Sequence, residues 1–348
     1  MKKLILIDGS SILSTSFYGN LPMGYVRAKT REEKEKALAK VLQTSTGIFT
    51  NAIYTMTKVL LSIIEKQKPT HLAVAWDITR DTFRRELYGE YKANRDETPS
   101  ELKSQFILMQ KLLERANIPS FSHQRYEADD ILGTLSRKFE EEISVYILTK
   151  DQDALQLVNE QTRVWLVTSK AKQMYMDLLH ESSNLSSVDL NELNVPNNTF
   201  EFSNVYVSYF YGLEPIQIID KKALEGDASD NIPGVKGVGQ KSAVPLLQEF
   251  RTVEGLYESL EDMSVDEIKE LMKTLGIKKS PVACLLRESQ DDSEISGKRS
   301  ALLSKQLATI VTNIPGYQDL SLGEFQLNIN RDGMRDMFKE LEFTSLLK

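Results

Sequence analysis

Three short, nearly uninterrupted apolar runs, each followed by a carboxylate, restrict this chain more than any other feature. They are Leu4-Ile5-Leu6-Ile7 before Asp8, Leu72-Ala73-Val74-Ala75-Trp76 before Asp77, and Val145-Tyr146-Ile147-Leu148 ahead of Asp151. Runs of this length and evenness suit strands covered on both faces, as in a parallel sheet. Apolar residues at helical spacing fill residues 46–66 and 99–116 between them. Thr98 and Glu101 have the spacing of a capping box, with Pro99 in the first turn and Asn117 as the stop. Strand and helix in alternation predict an α/β fold with a central, mainly parallel sheet. In such sheets the site lies beyond the carboxyl ends of the strands, where Asp8, Asp77 and Asp151 would meet.

Composition narrows the chemistry. One cysteine, Cys284, and three scattered histidines exclude a disulfide framework, a Cys-rich zinc module and an HExxH site. A metal here must be held by oxygen, which favours Mg²⁺, Mn²⁺ or Ca²⁺. The chain has 348 residues, enough for about two domains. Two lysines and four apolar residues precede Asp8, too few for a signal-peptide core or a membrane span, so a cytoplasmic protein is expected.

Acids gather again in three local motifs: Glu127, Asp129 and Asp130 at the opening of a helix, Asp151 and Asp153 after a strand, and Asp227 and Asp230 before a Pro-Gly turn. A lone Asp is more often a cap or turn residue than a ligand. Nine carboxylates brought together would repel unless cations neutralise them. Two divalent ions about 3.5–4 Å apart would do so and would hold an in-line phosphoryl displacement from both sides. Outside these nine acids, 43 basic residues face 41 acidic ones, so the net charge of −7 is compatible with phosphate binding elsewhere.

Residues 78–98 lack an apolar stripe and are rich in Arg, Lys and Tyr, which reads as a protruding segment. Arg84, Arg85, Lys92 and Arg95 suit a charged phosphate, and Tyr88 and Tyr91 suit stacking on unpaired bases; alone, the stretch would be read as a solvated basic loop. Residues 232–243 invite a P-loop reading, but Gln240 separates Gly239 from Lys241-Ser242 and no buried strand precedes them. A glycine turn leading into a helix, with backbone N–H groups facing phosphates, fits better.

The motifs LILIDGSS, PTHLAVAWD, TFRRELYGEYKANR, EADDILGTL, DQDALQLV, YGLEPIQIID and GDASDNIPGVKGVGQKSA together resemble the 5′-nuclease family. That family comprises the amino-terminal domain of bacterial DNA polymerase I, stand-alone bacterial and phage 5′–3′ exonucleases, and flap endonucleases. The resemblance implies a PIN-like 5′-nuclease fold with a helical arch at about 78–116 and a helix–two-turn–helix DNA-binding subdomain. It implies structure-dependent hydrolysis of DNA at 5′ ends, flaps and nicks, or of RNA in RNA–DNA hybrids, by two or more Mg²⁺ or Mn²⁺ ions. By position, Asp8, Asp77, Glu127 and Asp129 look like ligands of one metal. Asp129, Asp151, Asp153, Asp227 and Asp230 look like those around the second, and Asp130 like an additional acid. Arg84 and Lys92 resemble phosphate-directed catalytic residues beside Asp129 and Asp151. Phe17, Tyr91 and Arg95 are expected to touch DNA. Gly234, Gly237, Gly239, Lys241 and Ser242 resemble the turn that grips duplex, with a backbone-bound K⁺. The implied organisation is a catalytic domain at 1–212, with insertions near 20–41 and 170–200. A DNA-binding subdomain follows at 213–290, and 291–348 returns to the first domain. A monomer linked to a DNA polymerase and associated with the nucleoid is expected, without synthesis on this chain, because no polymerase domain follows residue 348. Two departures stand out: Ser14 and Thr15 replace the usual aromatic and Arg, and Lys150 replaces a glycine before Asp151.

Overall fold

The computed structural model describes residues 2–181, 194–288 and 295–347. Part of the expected insertion at 170–200 lies outside them. Six strands form one sheet: β1 (Lys3–Asp8), β2 (His71–Trp76), β3 (Ser120–Ser122), β4 (Ser144–Thr149), β5 (Thr162–Val167) and β6 (Thr199–Phe202). Their order is β3-β2-β1-β4-β5-β6, parallel except for β6, which runs antiparallel to β5. The three apolar runs are the three central strands. Along β1 the side chains alternate between faces, Leu4 and Leu6 into one core, Ile5 and Ile7 into the other.

Four helices lie between β1 and β2: α1 (Gly9–Gly19), α2 (Met23–Arg27), α3 (Arg31–Leu38) and α4 (Asn51–Gln67). Next come α5 (Phe83–Leu87), α6 (Ser100–Arg115), α7 (Ala128–Phe139) and α8 (Ala171–Glu181). Helices α1, α4 and α6 cover the Ile5 face and α7 covers the Leu4 face. Helix α1 approaches β2 so closely that a Cβ on Gly9 would lie 2.7 Å from Val74 and 2.8 Å from Trp76, so only glycine fits there. Thr30 and Glu33 close a full capping box on α3, the exposed helix of the 20–41 segment. Helix α6 begins one residue after Pro99 and has no side-chain cap, so the box expected at Thr98 and Glu101 does not form. A residue before proline is driven to extended backbone, and the helix starts only beyond the ring.

The second half is helical: α9 (Asn204–Tyr211), α10 (Gln217–Glu225), α11 (Gln240–Phe250), α12 (Val253–Glu261), α13 (Val265–Thr274), α14 (Val282–Leu285) and α15 (Gly297–Ala308). Helices α10 to α15 share a core of their own, including Leu224, Leu246, Leu256, Met272 and Ala301, whereas α9 packs Val207 into the sheet core. The capping box at Ser264 and Glu267 forms on α13. The chain then returns to the sheet. Ile310 and Ile314 join one core, and α16 (Arg331–Glu340) sends Met334, Met337 and Phe338 into the other. Among the described residues no helix is long and apolar enough to cross a membrane.

Candidate metal and phosphate site

The carboxyl ends of the parallel strands set the site. Asp8 ends β1 and caps α1, its Oδ1 accepting from Ser11 N at 2.9 Å and its Oδ2 from Thr149 Oγ1 at 2.8 Å. Asp77 follows β2. Its N–H donates to Ser10 Oγ, and its Oδ1 accepts from Ala128 N at 2.8 Å, which ties it to the start of α7. Asp129 stands in that first turn, and its buried Oδ1 has no hydrogen-bond partner. Asp151 caps the short 3₁₀ turn that carries Asp153.

These acids act on one another. Burial first, then Asp77, pushes Asp8 up to about 7. Burial and then Glu127 raise Asp77. Burial, then Asp151, Asp8 and Asp77, raise Asp129 well above the carboxylate range. Burial and Asp151 push Asp153 up to about 7. Asp151 thus stands between two groups of acids. In the second group, carboxylate oxygens of Asp153, Asp227 and Asp230 lie within 4.8 Å of one another, with the spacing of ligands for one ion. An unpartnered buried oxygen, like charges crowded together and an all-carboxylate donor set fit hard divalent cations. A cleft of 390 Å³ opens beside them, lined by Ser11, Lys150, Asp151, Asp153, Lys222 and Asp227 among others.

Several residues expected at the substrate are placed elsewhere. Arg84 is 3% exposed, and both its terminal nitrogens bond Asp130 at 2.7 Å. Its Nε donates to Leu307 O at 2.8 Å and its NH2 also to Thr309 O at 2.7 Å. A guanidinium so engaged faces no phosphate. Asp130 is fully buried; beyond Arg84 it accepts from Glu127 N and Val311 N, so neither oxygen is open to a metal. Phe17 is fully buried in the sheet core, where it cannot meet a base. Tyr91 is buried as well, and its hydroxyl donates to Glu127 at 3.1 Å.

The basic segment is docked rather than protruding. Lys92 N donates to Asp230 O, Asn94 Nδ2 to Ala228 O and Asn231 Nδ2 to Glu90 O. Lys92 takes a left-handed φ of +54°, and its Nζ donates to Glu127 Oε2 at 2.8 Å. Burial disfavours the charge on Lys92, but Glu127, Tyr91 and Asp230 together outweigh it and raise its pKa. Arg95 pairs with Asp230 and is otherwise open to solvent. Of the stretch expected to form an arch, α5 is five residues long and α6 packs Leu102, Met109 and Leu112 into the core.

The glycine turn divides into two parts. Gly234 has φ +60°, and a Cβ there would lie 2.2 Å from Gly226 N. Its N–H donates to Ser304 Oγ at 2.9 Å and its carbonyl accepts from Ser300 Oγ. Gly234 therefore serves packing and has no amide left for a phosphate. Gly237 has φ +92°, and Gly239, the N-cap of α11, faces open space. Lys241 is exposed, whereas Ser242 is buried.

Sequence reasoning missed Lys222. Its Nζ bonds Asp153 and lies 2.6 Å from Asp227 Oδ2. Burial favours neither charge, but the two-sided contact lowers Asp227 to about 2 and raises Lys222. The available signal was its position one turn after the buried Ile218 on α10, while neighbouring Lys221 pairs along the helix with Glu225.

Residues 3–183 match the 5'-3' exonuclease, N-terminal resolvase-like domain, and residues 213–330 the 5'-3' exonuclease, C-terminal SAM fold. DNA polymerase I of Bacillus subtilis (strain 168) is 34% identical over 348 residues, covering 100% of this chain and 32% of that protein. DNA polymerase I of Chloroflexus aurantiacus is 34% identical over 98% of this chain and 29% of its own length. The chain thus spans less than a third of the length of these curated relatives. The fold is similar to that of T5 5′-exonuclease with bound zinc, at a TM-score of 0.56 and 17% identity, covering 98% of this chain and 99% of that one. It is also similar to the catalytic core of Rad2 in complex with DNA substrate, at a TM-score of 0.55 and 16% identity, covering 99% of this chain and 91% of that one. With both domain models matched in order along one chain, and a carboxylate site where its parallel strands end, this protein belongs to the 5′–3′ exonuclease family.

Proposed function

We propose that this chain is a Mg²⁺-dependent 5′–3′ exonuclease and 5′-flap endonuclease acting on DNA ends, flaps and nicks, in primer removal and repair beside a DNA polymerase. The observation that carries this reading is the convergence of Asp8, Asp77, Asp129, Asp151, Asp153, Asp227 and Asp230, which act on one another and of which Asp151, Asp153 and Asp227 line one cleft. Asp8, Asp77 and Asp129 would hold one divalent cation, Asp153, Asp227 and Asp230 the other, and Asp151 would serve both. Such ions supply a nucleophilic hydroxide and charge neutralisation at the scissile phosphate.

The chain's own residues do the rest. Thr149 holds the Asp8 carboxylate and the Asp151 amide together, which fixes the distance between the β1 and β4 ends. Lys150 lines the cleft and forms no ion pair among the described residues, so its charge is available to a phosphate. Lys92, drawn to Glu127, stands ready to turn to a phosphate when that carboxylate is neutralised. Gly237, Gly239 and the Lys241 ammonium offer a sequence-independent grip on duplex, about as far as backbone contacts can discriminate.

The test is cleavage of a labelled 5′-flap, a nicked duplex and an RNA–DNA hybrid with Mg²⁺, Mn²⁺, Zn²⁺ or EDTA. Metal-dependent release of 5′ products is expected. Binding without cleavage under every metal would refute the reading.

A further inference from the structure

Lys222 occupies the position of a cation. It reaches from α10 across the cleft, between Asp153 on the sheet side and Asp227 on the helical side. Those two carboxylates, with Asp230, are the tight acidic triple among the described residues. An ammonium has three donors and one charge, and here it stands within bonding distance of two of the three acids. A divalent ion would need the same oxygens at about 2.0–2.6 Å. Two cations sharing those oxygens would repel at such short range.

We propose that Lys222 is a built-in counter-cation of the second acidic group, which keeps Asp153 and Asp227 assembled while no ion is bound and which a divalent cation must displace. The inference rests on the reading of these acids as metal ligands. The lysine has the means to yield. Its charge is compact and sits on a flexible four-carbon stem, unlike the rigid fork of an arginine. The cleft beside it is lined by Ser11, Lys150 and Gln152, so the released ammonium has a polar, water-accessible space to enter. Lys222 thereby lowers the affinity of the second position for cations in the free enzyme. A bound phosphate would reverse this, since it accepts the displaced ammonium and attracts the ion together. Lys222 is thus a positioning residue that couples occupancy of the second position to substrate.

The experiment is titration of the metal-free chain with Mn²⁺ alone, without DNA, followed by electron paramagnetic resonance of the free ion, with melting curves in parallel. Lys222→Met and Lys222→Gln remove the charge and keep much of the volume. A hydrogen bond to a charged group is worth about ten- to a hundredfold in an equilibrium. Both variants should therefore bind the weaker Mn²⁺ about tenfold or more tightly, while melting at lower temperature without metal and recovering with it. Asp227→Asn should weaken the same binding event. A lysine with a merely structural role predicts the opposite, because a loosened site binds less well. Unchanged or weaker Mn²⁺ binding in both folded Lys222 variants, beside normal binding by the wild type, would overturn the role of the lysine alone. No Mn²⁺ bound by the wild type or by either variant would overturn the metal reading and this proposal with it.

Discussion

Substitution of Arg84 separates two accounts of the same residue. By its position in the sequence it is a phosphate-directed residue; in the structure it is a clamp that joins α5, the first turn of α7 and the segment after α15. The guanidinium and Asp130 are 3% and 0% exposed and meet through two bonds of 2.7 Å. Removing one partner of a buried pair leaves an uncompensated charge and costs about 3–5 kcal/mol. The carbonyls of Leu307 and Thr309 lose donors too, so the upper half of that range is expected for Arg84→Ala. Against a typical stability of about 5–15 kcal/mol this is a large fraction. Arg84→Lys should recover little, since a point charge cannot make the fork. The double variant Arg84→Met with Asp130→Asn should recover part of the loss, because no charge is then stranded and the amide oxygen still accepts one of the N–H groups of Glu127 and Val311. The assay is equilibrium urea unfolding followed through Trp76 and Trp165, the only two tryptophans, both buried in the sheet. If Arg84→Ala unfolds at the wild-type midpoint with an unchanged slope yet loses cleavage in single turnover, the clamp is wrong and the guanidinium acts on substrate.

Three further outcomes follow from the geometry. Asp77→Asn and Asp151→Asn should abolish cleavage while leaving flap binding within a few fold, as electrophoretic titration in Ca²⁺ would show; full cleavage by both would remove them from the metal site. Gly239→Val should fold normally, because its Cβ enters open space, and should weaken duplex binding with a flatter salt dependence; Gly234→Ala should instead lower the melting temperature, and the reverse pattern would exchange their roles. Asp8 and Asp153, pushed to about 7, and Asp77 and Asp129, also raised, hold protons in the folded state that the unfolded chain releases above its ordinary carboxylate value. Metal-free stability should therefore fall as pH rises from about 4 through 7; His71, lowered by burial, opposes this, and so at the acid end do Glu254 and Glu340, which Lys305 and Arg115 hold below the usual range. Melts in EDTA that rise across this window would refute the sign.

The sheet was legible because a strand covered on both faces has no polar positions, and three such strands stood out without any period. The acids were legible because their spacing repeats at strand ends and helix starts, which backbone geometry brings to one edge. Direction was not legible. Arg84, Tyr91, Asp130 and Phe17 carry the chemistry of a nucleic-acid site and stand next to its ligands in the chain, yet all four turn inward. Helix α5 is too short to show a face, and the turns after it have no period at all. Whether an arginine there meets a phosphate or Asp130 depends on residues 307–311, more than 200 positions away. Gly234 was misread for a related reason. Its φ of +60° is a property of the turn, but what a Cβ would strike comes from Gly226 and from Ser300 and Ser304 on α15.

The two halves of the acidic site balance their charge by different means, and the difference bears on how each takes up a cation. Asp153, Asp227 and Asp230 are matched by Lys222, Arg95 and Lys92 in direct contacts. No ion pair among the described residues joins Asp8, Asp77, Asp129 or Asp151; Asp8 and Asp77 rely on N–H and hydroxyl donors, and Asp8, Asp77 and Asp129 on raised proton affinity. An ion entering the first half displaces protons, so its affinity must rise with pH until the carboxylates are ionised. An ion entering the second half displaces the proton that Asp153 holds up to about 7 and also ammonium or guanidinium groups, whose charge persists through the same range, so its affinity depends in addition on whether those groups find another anion. On the proposed function, DNA would supply that anion. The first half would then fill in the free protein near neutral pH and the second with substrate, so that the complete set of charges would assemble only where a phosphodiester is present to be cut.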